Sequence, residues 1–184
     1  MNAAEPLTVR NPFVITAITE KFGKAIVEQY ESNGMLVLMC DPAVNVELCT
    51  FLKITEGLEY NMMLDLCGVD YPSRKERFEV VVHLHSMKYQ HRIRLRFPIL
   101  GAEPKIRSLS DVWLAADWAE REAFDFFGID FVGHPDLRRI LNPDDFEGHP
   151  LRKDFPTRGL KRGSFPLGRV INNKRTETPD FYSE

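Results

Sequence analysis

Cysteine is scarce in this chain: three stand among 184 residues, at positions 40, 49 and 67. No Cys-x-x-Cys pair occurs, so they can build neither a four-thiolate iron–sulfur site nor a thiol redox motif. Odd in number and far apart, they suit reduced, buried thiols in a reducing compartment. Long apolar runs are missing as well. The best of them, Met35 to Cys40, falls far short of the roughly 20 residues that cross a bilayer, so no membrane span is expected. Met1 to Asn11 lack a basic region followed by an apolar one, and Glu5 and Glu20 argue against an acid-poor transit peptide. A cytoplasmic or matrix-side location is therefore expected. Neither G-x-G-x-x-G nor G-x-x-x-x-G-K-[ST] occurs, which leaves no phosphate-cradling loop, and no G-x-S-x-G elbow supports a hydrolase. Strong charge of one sign is lacking too: the formal charge is -3 and the pI about 6.0, which gives no basic footprint for nucleic acid.

What is present fits one globular domain with an extension. Hydrophobic residues make up 43% and charged ones 28%. Apolar residues at 14, 15, 18 and 22 predict a first helix over Phe13–Phe22, ended by Gly23. Two extended runs, Lys24 to Tyr30 and Met35 to Cys40, flank Asn33-Gly34 and predict a hairpin. Asp41-Pro42 starts a second helix that runs to Ile54. Phe78, Val80, Val82 and Leu84 alternate with Glu79, Val81, His83 and His85, and Ile93, Leu95 and Phe97 alternate with Arg92, Arg94 and Arg96. That pattern predicts an antiparallel hairpin with one apolar face and one polar face at the heart of a sheet.

Ser110-Asp111 can cap a long helix that reaches Phe127. On a helical wheel Val112, Ala115, Ala116, Ala119, Ala123, Phe126 and Phe127 share the arc that faces the sheet. Asp117, Arg121 and Asp125 fall at i,i+4 spacing on the opposite side and read as a solvated, mutually paired face. Glu120 lies at the border of the apolar arc, where a partly buried carboxylate needs a partner; Arg138 or Arg139 is the expected one. Leu114 and Trp118 sit among the charged residues, as a patch covered by another protein would. Beyond Gly128 the chain is too rich in Gly and Pro for long elements, and from Arg138 to Arg175 basic residues outnumber acids. A scaffold domain over 1–137 and an irregular basic docking arm over 138–184 are expected. Arg152 and Lys153 are candidate contacts of that arm, and Arg138 and Arg139 are expected to clamp it to the helix.

The run Glu120-Arg121-Glu122-Ala123-Phe124-Asp125-Phe126-Phe127, followed by His134, Arg138 and Ile140-Leu141, resembles the signature of the 30 kDa subunit family of proton-pumping NADH:quinone oxidoreductase, respiratory complex I. Further segments are similar: Asp65 to Pro72, the Arg77 to Arg96 hairpin, His134 to Leu141, and Glu147 to Pro156. Together they cover about residues 12 to 160. The resemblance implies an α+β two-layer domain, with a mixed, largely antiparallel sheet and packed helices, in the peripheral arm of that complex. It implies no flavin and no iron–sulfur cluster on this chain; FMN and the clusters belong to other subunits. The partners it implies are the 49 kDa quinone-site subunit and neighbouring iron–sulfur subunits, on the cytoplasmic side of a bacterial inner membrane or the matrix side of an organelle. The role it implies is assembly, with no active site on the chain itself.

Local constellations offer little competing chemistry. His83 and His85 share a strand face but lack a third metal ligand, and the neighbouring arginines oppose a cation. His134 and His149 each precede a proline in a loop and read as backbone-bonding residues. Glu120 and Glu122 point about 160° apart on one helix and cannot share a substrate. The rival readings are a homologous scaffold subunit of a membrane-bound energy-converting hydrogenase, a nucleic-acid module using the basic arm without a stacking platform, and a stand-alone oxidoreductase.

Overall fold

The computed structural model describes residues 12–156. Helix α1 (Pro12–Phe22) opens on a proline, whose missing N–H costs nothing in the first turn, and it buries Val14 and Ile18. The hairpin of β1 (Ile26–Ser32) and β2 (Met35–Cys40) turns at Asn33 and Gly34, with φ of 53° and 72°. Two consecutive left-handed residues are what a tight hairpin turn of the favoured twist requires, and Asn-Gly is the pair that accepts them most readily. The Asp41 carboxylate accepts the Ala43 N–H at 2.8 Å and starts a short 3-10 turn, Pro42–Val44, which leads into α2 (Asn45–Ile54).

Strands β3 (Met62–Asp70), β4 (Phe78–Ser86) and β5 (His91–Ile99) form an antiparallel meander, and β2 joins it in parallel beside β5, pairing Leu36 with Ile93 and Leu38 with Leu95. The sheet order is β1-β2-β5-β4-β3, so the sheet is mixed and mostly antiparallel. Its period-2 alternation sends Phe78, Val80, Val82, Leu84, Ile93, Leu95 and Phe97 into one core with Val14, Ile18, Leu48 and Leu52 of the helices. Burying each large apolar side chain contributes about 1.5–3 kcal/mol, which makes this face the main source of stability.

The opposite face carries the polar residues, but it is less solvated than its sequence suggests. Arg96 grips the buried Glu79 through Nε and Nη2, at 2.6 and 2.8 Å, and also donates to the Tyr30 hydroxyl at 2.9 Å. Beside it Arg94 donates to His83 Nε2 at 2.7 Å, which occupies the lone pair a metal would need.

A two-stranded parallel piece, β6 (Lys105–Arg107) with β7 (Asp130–Val132), brackets the last helix, α3 (Ala115–Phe127). Neither short strand has enough residues to show a period. Helix α3 begins later than Ser110-Asp111: residues 109–113 form a separate turn, in which Val112 and Trp113 both donate to the Leu109 carbonyl. α3 packs against β3, where Gly68 permits a close approach; a Cβ there would lie 2.7 Å from the Phe127 ring. After β7 the chain from 134 to 156 is irregular, as its breakers predict, and it folds back across α3. The expected docking arm therefore begins with residues held on the domain, while its continuation from 157 lies outside the described residues. Among the described residues no helix is long and apolar enough to cross a membrane.

Candidate functional site

The residues singled out from sequence converge on α3 and the segment that crosses it. Asp125 is the centre. Its side chain is fully buried, and its two oxygens receive Arg139 Nη1 at 2.8 Å, the Leu141 and Asn142 N–H groups at 2.9 Å each, the Ile140 N–H at 3.2 Å and the Asn142 amide at 3.0 Å. Burial alone would raise its pKa, but these bonds, led by those from Asn142, outweigh it and bring the carboxyl down to about 2. Arg139 completes the joint by donating to the Phe146 and Gly148 carbonyls at 2.9 and 3.0 Å.

The wheel's assignment of this side of α3 to solvent is thus overturned for two residues. Asp125 is 0% exposed and Arg121 only 7%, because residues 134–142 lie over the face that an isolated helix would leave wet. Arg121 donates to the Arg138 carbonyl at 3.3 Å and stacks over the Trp118 ring at 4.8 Å. Asp117 contributes its carbonyl, which lies 3.1 Å from His134 Nε2. His134 Nδ1 accepts the Asp136 N–H at 3.0 Å, so the neutral ring carries its proton on Nε2 and donates to Asp117. On the sheet side the reverse correction applies: Ala115 is exposed, and Ala119, Phe126 and Phe127 are only half-buried.

Glu120 is fully buried, yet neither Arg138 nor Arg139 is its partner. It accepts the Leu109 N–H and the Ser108 hydroxyl, both at 2.6 Å, and so fastens the turn before α3 onto the helix. Burial raises its carboxyl to about 7 against the opposing pull of those two bonds. Glu122, by contrast, is exposed, as is the Arg138 side chain, which pairs with Asp136 at 2.9 Å. Ile140 is half-buried and Leu141 is 61% exposed.

Arg152 also differs from a free docking residue. Its Nε donates to the Phe127 carbonyl at 2.6 Å and its Nη2 to the Gly128 carbonyl at 3.4 Å, so it caps the C-terminus of α3 while its guanidinium lies over the Phe78 ring. His149 sits beside it and donates from Nδ1 to the Asp125 carbonyl at 3.0 Å. The Lys153 backbone N–H donates to Asp70 at 2.7 Å, and its side chain is exposed. Asp70 is gripped by Arg77 at 2.7 and 2.8 Å, and Arg77 reaches on to Asp154 at 2.9 Å. Sequence reasoning misses the Asp70–Arg77 pair. Its signal is a carboxylate ending one strand and an arginine just before the next, two residues that an antiparallel register brings together.

Two apolar side chains stand out in water at the start of α3, Leu114 just before its first residue and Trp118 in its first turn. Leu114 is 91% exposed and Trp118 64%, one turn apart, as the wheel predicts. Among the described residues no group of three or more His, Cys, Asp and Glu could hold a metal ion.

Residues 38–161, which include all of the signature positions, match the sequence model of the family described as "Respiratory-chain NADH dehydrogenase, 30 Kd subunit". The chain belongs to this family. One relative, a NADH-quinone oxidoreductase subunit of Rhizobium meliloti (strain 1021), is 43% identical over 162 residues, 88% of either chain. Another, from the NADH-quinone oxidoreductase of Hyphomonas neptunium (strain ATCC 15444), is 51% identical over 126 residues, 68% of this chain and 62% of its own. Among solved structures, the trypsin-resistant fragment of Nqo5 superposes with a TM-score of 0.59 at 28% identity, covering 67% of this chain and 98% of the fragment. A chain of the membrane-bound sulfane sulfur reductase, an archaeal respiratory membrane complex, shares the fold with a TM-score of 0.65 at 23% identity over 92% of this chain and 97% of its own. Of the positions singled out from sequence, Arg121, Asp125 and His134 join α3 to the returning segment, Glu120 holds the turn before the helix, and Glu122 and the Arg138 side chain are exposed.

Proposed function

We propose that this chain is a scaffold subunit of the peripheral arm of a proton-translocating NADH:quinone oxidoreductase and carries no active site of its own. The observation that carries the reading is how the family signature is used. Glu120, Arg121, Asp125 and His134 bond within the chain, while Glu122, the Arg138 side chain and Leu141 face water, and beside them stand the exposed apolar groups Leu114 and Trp118. A rigid helix that presents an exposed Leu–Trp pair suits protein contact, because such side chains bind strongly only when a partner excludes water from them. Electrons then pass from NADH through FMN and iron–sulfur clusters on other subunits to quinone, and this chain supplies geometry. The 49 kDa quinone-site subunit and the neighbouring iron–sulfur subunits are the proposed partners. The cytoplasmic side of a bacterial membrane, or the matrix side in an organelle, is the proposed location. Lys153 and the basic residues beyond it are proposed to reach an acidic neighbour.

The second reading, a scaffold subunit of another membrane-bound respiratory or energy-converting complex, draws on the fold shared with the archaeal sulfane sulfur reductase. Identity of 43% to a NADH-quinone oxidoreductase subunit, against 23% to the archaeal chain, favours the first. The deciding experiment is recovery of the tagged chain from its native membranes in mild detergent. Inhibitor-sensitive NADH:quinone reduction in the eluate, from a chain that is colourless and inactive when purified alone, is the expected result. Recovery with a hydrogenase or sulfur-reducing activity instead would move the chain to the second reading.

A further inference from the structure

A cavity of about 520 Å3 opens between the β1–β2 turn and the β4–β5 turn, lined by Glu31, Tyr60, Tyr89, His91 and Arg92 together with apolar side chains such as Leu36. No residue of α3 or of the segment crossing it lines this cavity. Its polar groups are incomplete. Glu31 Oε2 and both ring nitrogens of His91 are buried without a hydrogen-bond partner among the described residues. Polar groups left unpaired away from water are costly, and a ligand that pairs them recovers that cost on binding. Burial also lowers the His91 pKa, which favours the neutral ring, and a neutral imidazole offers one donor and one lone pair. Aromatic faces surround it: the Tyr89 ring stacks on His91 at 5.9 Å between centroids, and the Tyr60 ring lies at 4.8 Å, tilted.

These features select an occupant. A carboxylate is acceptor-only and calls for donors, which disfavours an anion. An apolar side chain would leave both Glu31 and His91 unsatisfied. An ammonium could satisfy the carboxylate but is a compact, strongly hydrated charge. A guanidinium is planar and carries five donors in a fixed fork, so it can meet Glu31 and the His91 lone pair together. Arg92 lines the same cavity but is exposed, so water screens its charge and it is placed to pair with an acid beside an incoming arginine.

We infer that this cavity receives an arginine side chain from a partner subunit, making the two turns a second docking point distinct from the Leu114–Trp118 patch. The inference rests on the reading of the chain as one subunit of a larger complex. To test it, Tyr89→p-benzoylphenylalanine is placed in the chain, the assembled complex is purified from native membranes and irradiated, and the cross-linked peptides are sequenced by mass spectrometry. A cross-link to one segment of another subunit, at or beside an arginine, is the expected result, with yield falling roughly tenfold when Glu31→Gln is added. An intact complex that gives no cross-link, a cross-link to a segment without arginine, or an unchanged yield with Glu31→Gln would each overturn the inference while leaving the scaffold reading in place. Failure to recover any complex with the unsubstituted tagged chain would overturn both.

Discussion

Arg139 and Asp125 meet at 2.8 Å beneath the surface, and through this contact the segment behind β7 is joined to α3. Because the same carboxylate also holds three consecutive backbone N–H groups, the residues from Ile140 to Asn142 take their path from one side chain. Replacing Asp125 by Ala leaves the half-buried Arg139 guanidinium with only its carbonyl partners and those backbone donors unpaired, which costs about 3 kcal/mol, the lower end for broken buried pairs. Chemical denaturation of Asp125→Ala against the parent checks this; a loss below about 1 kcal/mol would mean that the joint is not what holds the segment.

Asp125 and Glu120 give stability opposite dependences on pH. The folded pKa of Asp125 is depressed to about 2, so its contribution is present above the unfolded value near 4 and is lost as pH falls through 2, an effect of about 2–3 kcal/mol. That of Glu120 is raised to about 7, so its contribution is complete below about pH 4 and is lost as pH rises through 7, an effect of about 3 kcal/mol. Denaturation midpoints measured from acid to mildly alkaline pH should therefore decline on both sides. Glu120→Gln should flatten the alkaline limb alone, and a limb of unchanged slope in that variant would refute the assignment.

Gly128 and Gly34 both have left-handed backbones, with φ of 68° and 72°, but in different surroundings. A Cβ at Gly34 meets nothing within 4 Å, whereas one at Gly128 runs into the His149 ring and lies 2.5 Å from Arg152 Nη2. Gly34→Ala should cost about 1 kcal/mol of backbone strain. Gly128→Ala should cost at least twice that, because the cap on α3 must move as well. Equal losses in thermal denaturation would show that His149 and Arg152 yield without cost.

Leu114 contributes little to the folded chain, because 91% of it is in water. Leu114→Ser should change stability by less than about 0.5 kcal/mol, as is usual for surface substitutions. Trp118→Ser should cost about 0.5–1 kcal/mol through its stacking with Arg121. If the pair is a docking hot spot, the double variant should weaken incorporation into the complex by tenfold or more, read as subunit ratio in purified complex. Wild-type incorporation would remove the patch from the interface.

Local rules make much of the fold legible. Asn33-Gly34 announces its hairpin because few other pairs accept two left-handed residues, and the alternation from Phe78 to Phe97 fixes which sheet face is apolar. Exposure of Leu114 and Trp118 follows from the wheel alone. The wheel misplaces Asp125 and Arg121 for a physical reason: it treats the helix as if nothing crosses it, and the covering residues, 134–142, have no periodicity to announce where they lie. Glu120 illustrates the same limit in reverse. Its burial is readable from its neighbours, but its partners are the Leu109 N–H and the Ser108 hydroxyl, and a search for opposite charge passes over backbone and hydroxyl donors.

The central claim, that this chain contributes geometry and no chemistry, is tested most directly by measuring inhibitor-sensitive NADH:quinone turnover per assembled complex in membranes carrying Glu122→Gln, His134→Gln or Arg138→Gln. The account predicts that turnover per complex stays at the wild-type value in each case, with any loss of total activity matched by a loss of assembled complex. A variant that assembles fully and turns over at a small fraction of the wild-type rate would contradict it and place a catalytic residue on this chain.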